Sequence, residues 1–205
     1  MKFMESISRF AFTATSGLLL AGGLIFAGPG TAAAGENEEA DRSKDGCVAL
    51  SSEDSPDQYT EADEKAAETL NDKLNDDMAG NMTGHHASCA RAVVEATQEH
   101  DMDQQAATIA MATTIVETHL NNYTGGDRDS VGLFQQRDHY GSQEERNDPA
   151  WTTKAFLDEL NFVYPDESWT DASMGEVAQD VQRSAYPDRY HHQIDDAEII
   201  VDHLW

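Results

Sequence analysis

The residues from Gln104 to Thr118 constrain the fold most, because their apolar positions recur at helical spacing with little interruption. Ala106 and Ala110 lie four residues apart, and Glu117 falls on the same line two turns later. Residues at this spacing share one face of a helix. The stretch therefore predicts a buried helix, with Asp103 as its N-cap, that carries a carboxylate on its inward face.

Two interpretations of Glu117 follow from its position. A carboxylate on the inward face is costly unless it is hydrogen-bonded or protonated. Burial then raises its pKa, and a raised pKa suits a general acid near neutral pH. In the alternative interpretation the helix has already ended and Glu117 points into water, where it has no chemical role.

The rest of the domain shows further helical patterns. Apolar residues recur at helical spacing over 61–80, with Gly80 as a stop, and again over 85–100. Three later helices have start signals: Asp148 with Pro149, Ser173 with Glu176 as a capping box, and Pro187. The segment 130–137, "SVGLFQQR", fits either a strand or a tight apolar loop. We expect one mostly α domain over residues 61–205, with at most a small β-hairpin.

Residues 1–34 have the layout of a secretory signal peptide. Lys2 and Arg9 precede an apolar stretch, and Ala32-Ala33-Ala34 supplies a small-residue cleavage site. An uncleaved membrane anchor is the alternative. The acidic, serine-rich residues 35–60 predict a flexible leader. We therefore expect an exported protein that has no stable membrane anchor after cleavage.

Cys47 and Cys89 are the two cysteines of the chain, and outside the cytoplasm such a pair predicts a disulfide. Two free thiols are the alternative. The cysteines and histidines do not match zinc spacing, so we predict no metal and no cofactor. Adjacent histidines at 85–86 and 191–192 point about 100° apart on a helix and are expected on the solvated surface.

The charge restricts the partners. The chain carries a net charge of −26 over 205 residues. Such a charge argues against nucleic acid or an anionic membrane as a partner. It is also typical of a protein adapted to concentrated salt, where screening weakens the repulsion.

Several motifs taken together resemble the lysozyme-like superfamily of goose-type lysozymes and lytic transglycosylases. The likeness covers roughly residues 90–205 and is nearest to secreted lysozyme-like proteins of high-GC Gram-positive bacteria. The motifs are "ETHL" from Glu117, "DSVGLFQQR" over 129–137, Asp148-Pro149, and "VQRS" over 181–184 followed by Pro187 and Tyr190. The chain departs from the pattern at "DHYGS" over 138–142, where close relatives carry a tryptophan, and it lacks the usual late Tyr-Asn pair.

The resemblance implies an enzyme that cuts peptidoglycan glycan strands between N-acetylated amino sugars, with Glu117 as general acid. It implies substrate contacts from seven residues: Ser130, Gly132, Phe134, Gln135, Gln136, and Gln182 with Ser184 in place of the Tyr-Asn pair. A hydrolase needs a second carboxylate, which Asp127 or Asp129 can supply, whereas an anhydro-forming transglycosylase does not. The alternatives are a non-catalytic wall-binding or accessory protein with the same fold, and an unrelated acidic helical protein.

Overall fold

Helices make up most of the backbone in the computed structural model, which describes residues 46–51, 58–184, 186 and 188–205. The prediction of a mostly α fold is confirmed. The α-helices of the described residues are α1 (Glu61–Asn71), α2 (Gly84–Glu99), α3 (Gln104–Thr118), α4 (Gln143–Asn147), α5 (Pro149–Val163), α6 (Met174–Gln182), α7 (Asp188–His192) and α8 (Ile194–Leu204). A short 3-10 helix covers Pro165–Asp171.

Helix α3 lies at the centre of the fold. Every residue from Ala106 to Val116 is buried, and the helix packs against α2, α5, α6 and α8. The Asp103 carboxylate accepts a hydrogen bond of 3.0 Å from the backbone N–H of Ala106, as expected of an N-cap. The predicted bounds of this helix are confirmed, so its last turn brings Glu117 to the end of the core.

Helix α1 is shorter than its sequence pattern predicts. It ends at Asn71 and is followed by turns, so the expected continuation to Gly80 was wrong. The Asp196 carboxylate of α8 accepts hydrogen bonds from the backbone N–H groups of Asn75 and Asp76, at 2.8 and 2.9 Å. This tertiary contact stabilises a turn where local spacing alone favours a helix. The apolar residues beyond the helix end are still buried: Leu74 and Met78.

The later helices agree with expectation at the start of α5 and differ from it beyond. Asp148 caps α5 as predicted, accepting from the backbone N–H groups of the first turn. Ser173 occupies the N-cap of α6, but its side chain makes no capping hydrogen bond, so the predicted capping box was wrong. The last predicted helix is divided into α7 and α8 at Gln193, and its proposed start at Pro187 lies outside the described residues.

A disulfide ties the leader to the helical domain. Cys47 and Cys89 are bonded, as predicted, with their Cα atoms 4.4 Å apart. The backbone of Leu50 also pairs with the turn after α3, donating to Asn122 at 2.7 Å and accepting from Thr124 at 2.9 Å. The leader segment 46–51 is therefore held beside that turn by both covalent and hydrogen bonds.

Two sequence predictions fall on residues outside the described part of the chain. The signal peptide over 1–34 lies wholly outside it, as does most of the leader over 35–60. Among the residues that the structure describes, no helix combines the length and the apolar character needed to cross a membrane.

Candidate active site

Glu117 lies in the last turn of α3, half-buried between the buried side chains of Val116 and Thr118. The Tyr190 hydroxyl, which belongs to α7, donates a hydrogen bond of 2.6 Å to Glu117 Oε1. Tyr190 is fully buried, so this donor is fixed by packing. The interpretation in which Glu117 extends freely into water does not fit this arrangement.

Burial raises the pKa of the Glu117 carboxyl above its ordinary value. The hydrogen bond from Tyr190 and the positive charge of Arg189 oppose this shift, because both favour the ionised carboxylate, but burial outweighs them. The pKa of the Tyr190 phenol is itself raised, first by burial and then by the charge of Glu117. The phenol therefore stays protonated and donates, while Glu117 holds its proton to a higher pH than an exposed glutamate.

The segment 130–136 forms a tight loop, which decides between the two predicted structures for "SVGLFQQR". Val131 and Gln136 exchange backbone hydrogen bonds of 3.2 and 3.1 Å. Gly132 has a φ of +77°, and a Cβ atom there would lie 2.1 Å from the carbonyl oxygen of Arg146. Gln135 also has a positive φ of 49°. The loop thus needs glycine at position 132 for both its dihedral angle and its close contact.

A buried arginine holds the two ends of this loop together. Arg146 Nη1 donates to the carbonyl oxygens of Asp129 at 2.7 Å and of Gln136 at 2.9 Å. Arg146 Nε donates to the carbonyl oxygen of Gly141 at 3.0 Å. Arg146 is a positioning residue that the sequence analysis missed, because an arginine among charged neighbours in "QEERN" resembles a solvated helix face.

The loop meets the end of α3 and the end of α6. The hydroxyl of Thr118, the residue after Glu117, donates to the carbonyl oxygen of Leu133 at 3.1 Å. Gln182 Nε2, at the end of α6, donates to the carbonyl oxygen of Phe134 at 3.3 Å. The structure therefore brings together the acid, the loop and Gln182, which are far apart in the sequence.

Several side chains predicted to bind substrate point into the protein instead. Phe134 is buried and stacks on Phe156, with ring centroids 4.8 Å apart. The Gln136 amide is buried and paired with Thr152, accepting from its hydroxyl at 2.8 Å and donating to its carbonyl oxygen at 3.1 Å. These two side chains belong to the core: the ring gains from burial, and the two hydrogen bonds of the Gln136 amide offset the cost of burying it.

The remaining predicted contacts are arranged around the loop and the acid. Ser130 is buried, and its hydroxyl donates to Gln135 Oε1 at 3.0 Å. The Gln135 amide also donates to the carbonyl oxygen of Gly132 at 3.1 Å, so it folds back on its own loop. Ser184 is half-buried, and its hydroxyl accepts a hydrogen bond of 3.2 Å from the backbone N–H of Tyr186.

The two candidate second carboxylates have different environments. Asp127 is exposed, with its carboxylate 3.8 Å from the Arg128 guanidinium. Asp129 accepts from the backbone N–H of Asp138 at 3.0 Å and pairs with Arg137. The backbone hydrogen bond is the main cause that lowers the pKa of Asp129 to about 2. Asp129 therefore stays ionised throughout the pH range in which Glu117 titrates, a separation of roles typical of acid–base pairs.

Tyr190 is a functional candidate that the sequence analysis named in the motif but gave no role. Its spacing with Ile194 and Ala197 predicts an apolar face, and the ring is indeed buried there. The available signal was its chemistry, because a buried tyrosine hydroxyl needs a hydrogen-bond partner. A lone carboxylate expected on the neighbouring face is such a partner.

The histidine pairs differ from the sequence prediction. His191 and His192 are exposed as expected, but His85 is fully buried, so its placement on the surface was wrong. Its Nε2 atom lies 3.5 Å from Cys89 Sγ. Burial lowers the pKa of His85 to about 4, so the ring is neutral at neutral pH. His86 faces elsewhere, with its Nε2 atom 3.2 Å from Asn121 Oδ1.

No family model matches the chain, and a search of curated proteins finds no match. The likeness to lysozyme-like proteins rests on the motifs given above.

Proposed function

We propose that this protein is a secreted lysozyme-like enzyme that cuts peptidoglycan glycan strands between N-acetylated amino sugars, with Glu117 as general acid. The observation that carries the proposal is the state of Glu117: half-buried, hydrogen-bonded by Tyr190 at 2.6 Å, and with a raised pKa. A carboxyl with a raised pKa, at the end of a core helix and beside the loop 130–136, suits proton donation to a bound polymer.

Cleavage of the glycosidic bond requires the protein to donate one proton. Glu117 gives its proton to the glycosidic oxygen while the bond from that oxygen to the anomeric carbon breaks. The substrate's own N-acetyl oxygen can stabilise the developing positive charge, so a single protein carboxyl can suffice. Tyr190 keeps the carboxyl in one orientation, and after proton transfer its hydroxyl stabilises the carboxylate that remains.

The anomeric carbon can then be attacked in two ways, and Asp129 has a role in only one of them. In a hydrolase, an ionised Asp129 orients the water that attacks the anomeric carbon. In a transglycosylase, the sugar's own hydroxyl attacks and leaves an anhydro end. Asp129 is already engaged by Arg137 and by the backbone N–H of Asp138, and both contacts keep it ionised.

Substrate contacts in this proposal come from the loop and from Gln182 and Ser184. The side chains of Phe134 and Gln136 are committed to the core and are not assigned to the substrate. Tyr140, half-buried after the loop, offers an aromatic face where close relatives of the motif carry a tryptophan.

The test is cleavage of purified peptidoglycan by the mature protein, followed by mass spectrometry of the soluble fragments. Release of disaccharide fragments supports the proposal, and fragments lighter by one water identify the anhydro-forming route. Retention on insoluble peptidoglycan with no fragments released, at low and at high salt, would favour the non-catalytic accessory protein. If the protein neither binds nor cleaves peptidoglycan, both the enzyme and the accessory-protein hypotheses are contradicted.

A further inference from the structure

Three potential metal ligands meet at the disulfide, far along the chain from the loop of the candidate active site. Cys47 Sγ, Cys89 Sγ and a ring nitrogen of His85 all lie within 4.8 Å of one another. All three residues are buried, with exposed fractions of 7%, 0% and 0%. In the oxidised protein the two sulfur atoms are bonded to each other, so they are not available to an ion.

His85 lies in the core with its Nε2 atom beside the sulfur atoms and with little hydrogen bonding. Its Nε2 atom is 3.5 Å from Cys89 Sγ, which is a weak hydrogen-bonding partner. Its Nδ1 atom is buried and has no hydrogen-bond partner among the described residues. Burying an imidazole with this little hydrogen bonding is costly, so the disulfide alone explains the histidine poorly.

The two cysteines would stay close after reduction, because other bonds hold the leader segment 46–51 in place. Leu50 keeps two backbone hydrogen bonds to the turn after α3, donating to Asn122 at 2.7 Å and accepting from Thr124 at 2.9 Å. The Asn122 side-chain amide donates to the Cys47 carbonyl oxygen at 3.3 Å. Reduction therefore produces two thiols next to a buried imidazole nitrogen, not two separated thiols.

We propose that the reduced protein binds one copper(I) ion through Cys47 Sγ, Cys89 Sγ and His85 Nε2. Thiolates are soft ligands that select copper(I) or zinc, and imidazole completes a three-ligand set. Structural zinc is almost always four-coordinate, and the buried cluster of described residues offers three ligands. Copper(I) is satisfied by three ligands in a dry site.

The disulfide is converted to the copper site in two steps. A dithiol reductant gives two electrons and two protons to the disulfide, becomes a disulfide itself, and leaves Cys47 and Cys89 as thiols. Copper(I) then displaces two protons, one from each thiol. The copper ion thus replaces the disulfide as the cross-link between Cys47 and Cys89.

The test uses the mature protein, reduced by a dithiol without oxygen and then freed of reductant. Copper(I) is added as its acetonitrile complex, in competition with a copper(I) chelator that removes ions held weakly by exposed histidines such as His191 and His192. We expect one copper per reduced chain and none in the oxidised protein. X-ray absorption of the wild-type complex should show two sulfur ligands and one nitrogen ligand.

His85→Gln and His86→Gln form a matched pair, because the two residues are neighbours on α2 and only the first faces the sulfur atoms. We expect His85→Gln to weaken copper binding at least tenfold, because losing a ligand should cost no less than the roughly 10–100-fold that losing an outer-shell partner costs. His86→Gln should bind copper as the wild type does. The proposal is overturned if the reduced wild type takes no copper, if absorption shows no nitrogen ligand, or if the two variants weaken binding equally.

Discussion

Tyr190→Phe removes the hydroxyl that donates to Glu117 and leaves the buried ring in place. A hydrogen bond to an ionised group contributes about 1.5–3 kcal/mol to stability. For a domain of this size the loss lowers the melting temperature by roughly 3–12 °C. The loss should shrink as pH falls and Glu117 becomes protonated, because a donor binds a neutral carboxyl less strongly than a carboxylate.

The same variant should change the pH profile of cleavage in a defined direction. Tyr190 favours the ionised form of Glu117, so its removal raises the pKa of that carboxyl further above its ordinary value. The acid then keeps its proton to a higher pH, and the alkaline limb of kcat/KM moves upward. The assay is the rate of fragment release from purified peptidoglycan over a series of buffers at constant ionic strength.

Tyr164→Phe is the matched control. Tyr164 donates a hydrogen bond of the same length, 2.6 Å, to the Asp180 carboxylate, but at the surface and away from Glu117. This variant should leave the alkaline limb where it is. The reasoning is refuted if Tyr190→Phe leaves the limb unmoved or shifts it downward, or if both variants shift it alike.

Three further perturbations test the parts around the acid. The folded pKa of Asp129 is lowered to about 2, so its ionised form stabilises the fold above the ordinary aspartate pKa. Asp129→Asn should therefore melt at a lower temperature than the wild type at neutral pH and match it near pH 2. Its cleavage rate should fall only if the enzyme is a hydrolase. Intact mass should show Cys47 and Cys89 bonded before reductant is added, and reduction of this link across 42 residues should cost about 4 kcal/mol of stability. Gly132→Ala should lose at least about 1–2 kcal/mol and most activity, because φ is +77° there, whereas Gly125→Ala, which has open space, should be neutral in thermal denaturation.

The central helix could be predicted closely because its start and its face are both local properties. Asp103 supplies the cap, and the apolar spacing from Ala106 onward supplies the buried face, so the helix runs as predicted to Thr118. The end of α1 could not be predicted in this way. It depends on the Asp196 carboxylate, which is far away in the sequence and binds the turn after Asn71.

The candidate site shows the same division between local and distant causes. Glu117 could be found from its place on an apolar face, and Gly132 from the motif that surrounds it. Tyr190 and Arg146 could not, because their roles come from partners that meet only in the folded chain: the Glu117 carboxyl and the carbonyl oxygens of the loop. Phe134 and Gln136 were assigned to the substrate because their inward direction depends on Phe156 and Thr152 of α5.

Glu117→Gln tests the central claim most directly, with Glu198→Gln on the exposed face of α8 as a control of equal charge. The raised folded pKa of Glu117 means that its ionised form costs stability at neutral pH, so the amide should be at least as stable there, with the difference closing below the ordinary glutamate pKa. Because the amide has no transferable proton, peptidoglycan cleavage should fall by about 10²–10⁴-fold while binding to insoluble peptidoglycan is kept. A folded Glu117→Gln variant that cleaves as fast as Glu198→Gln would contradict the assignment of the acid.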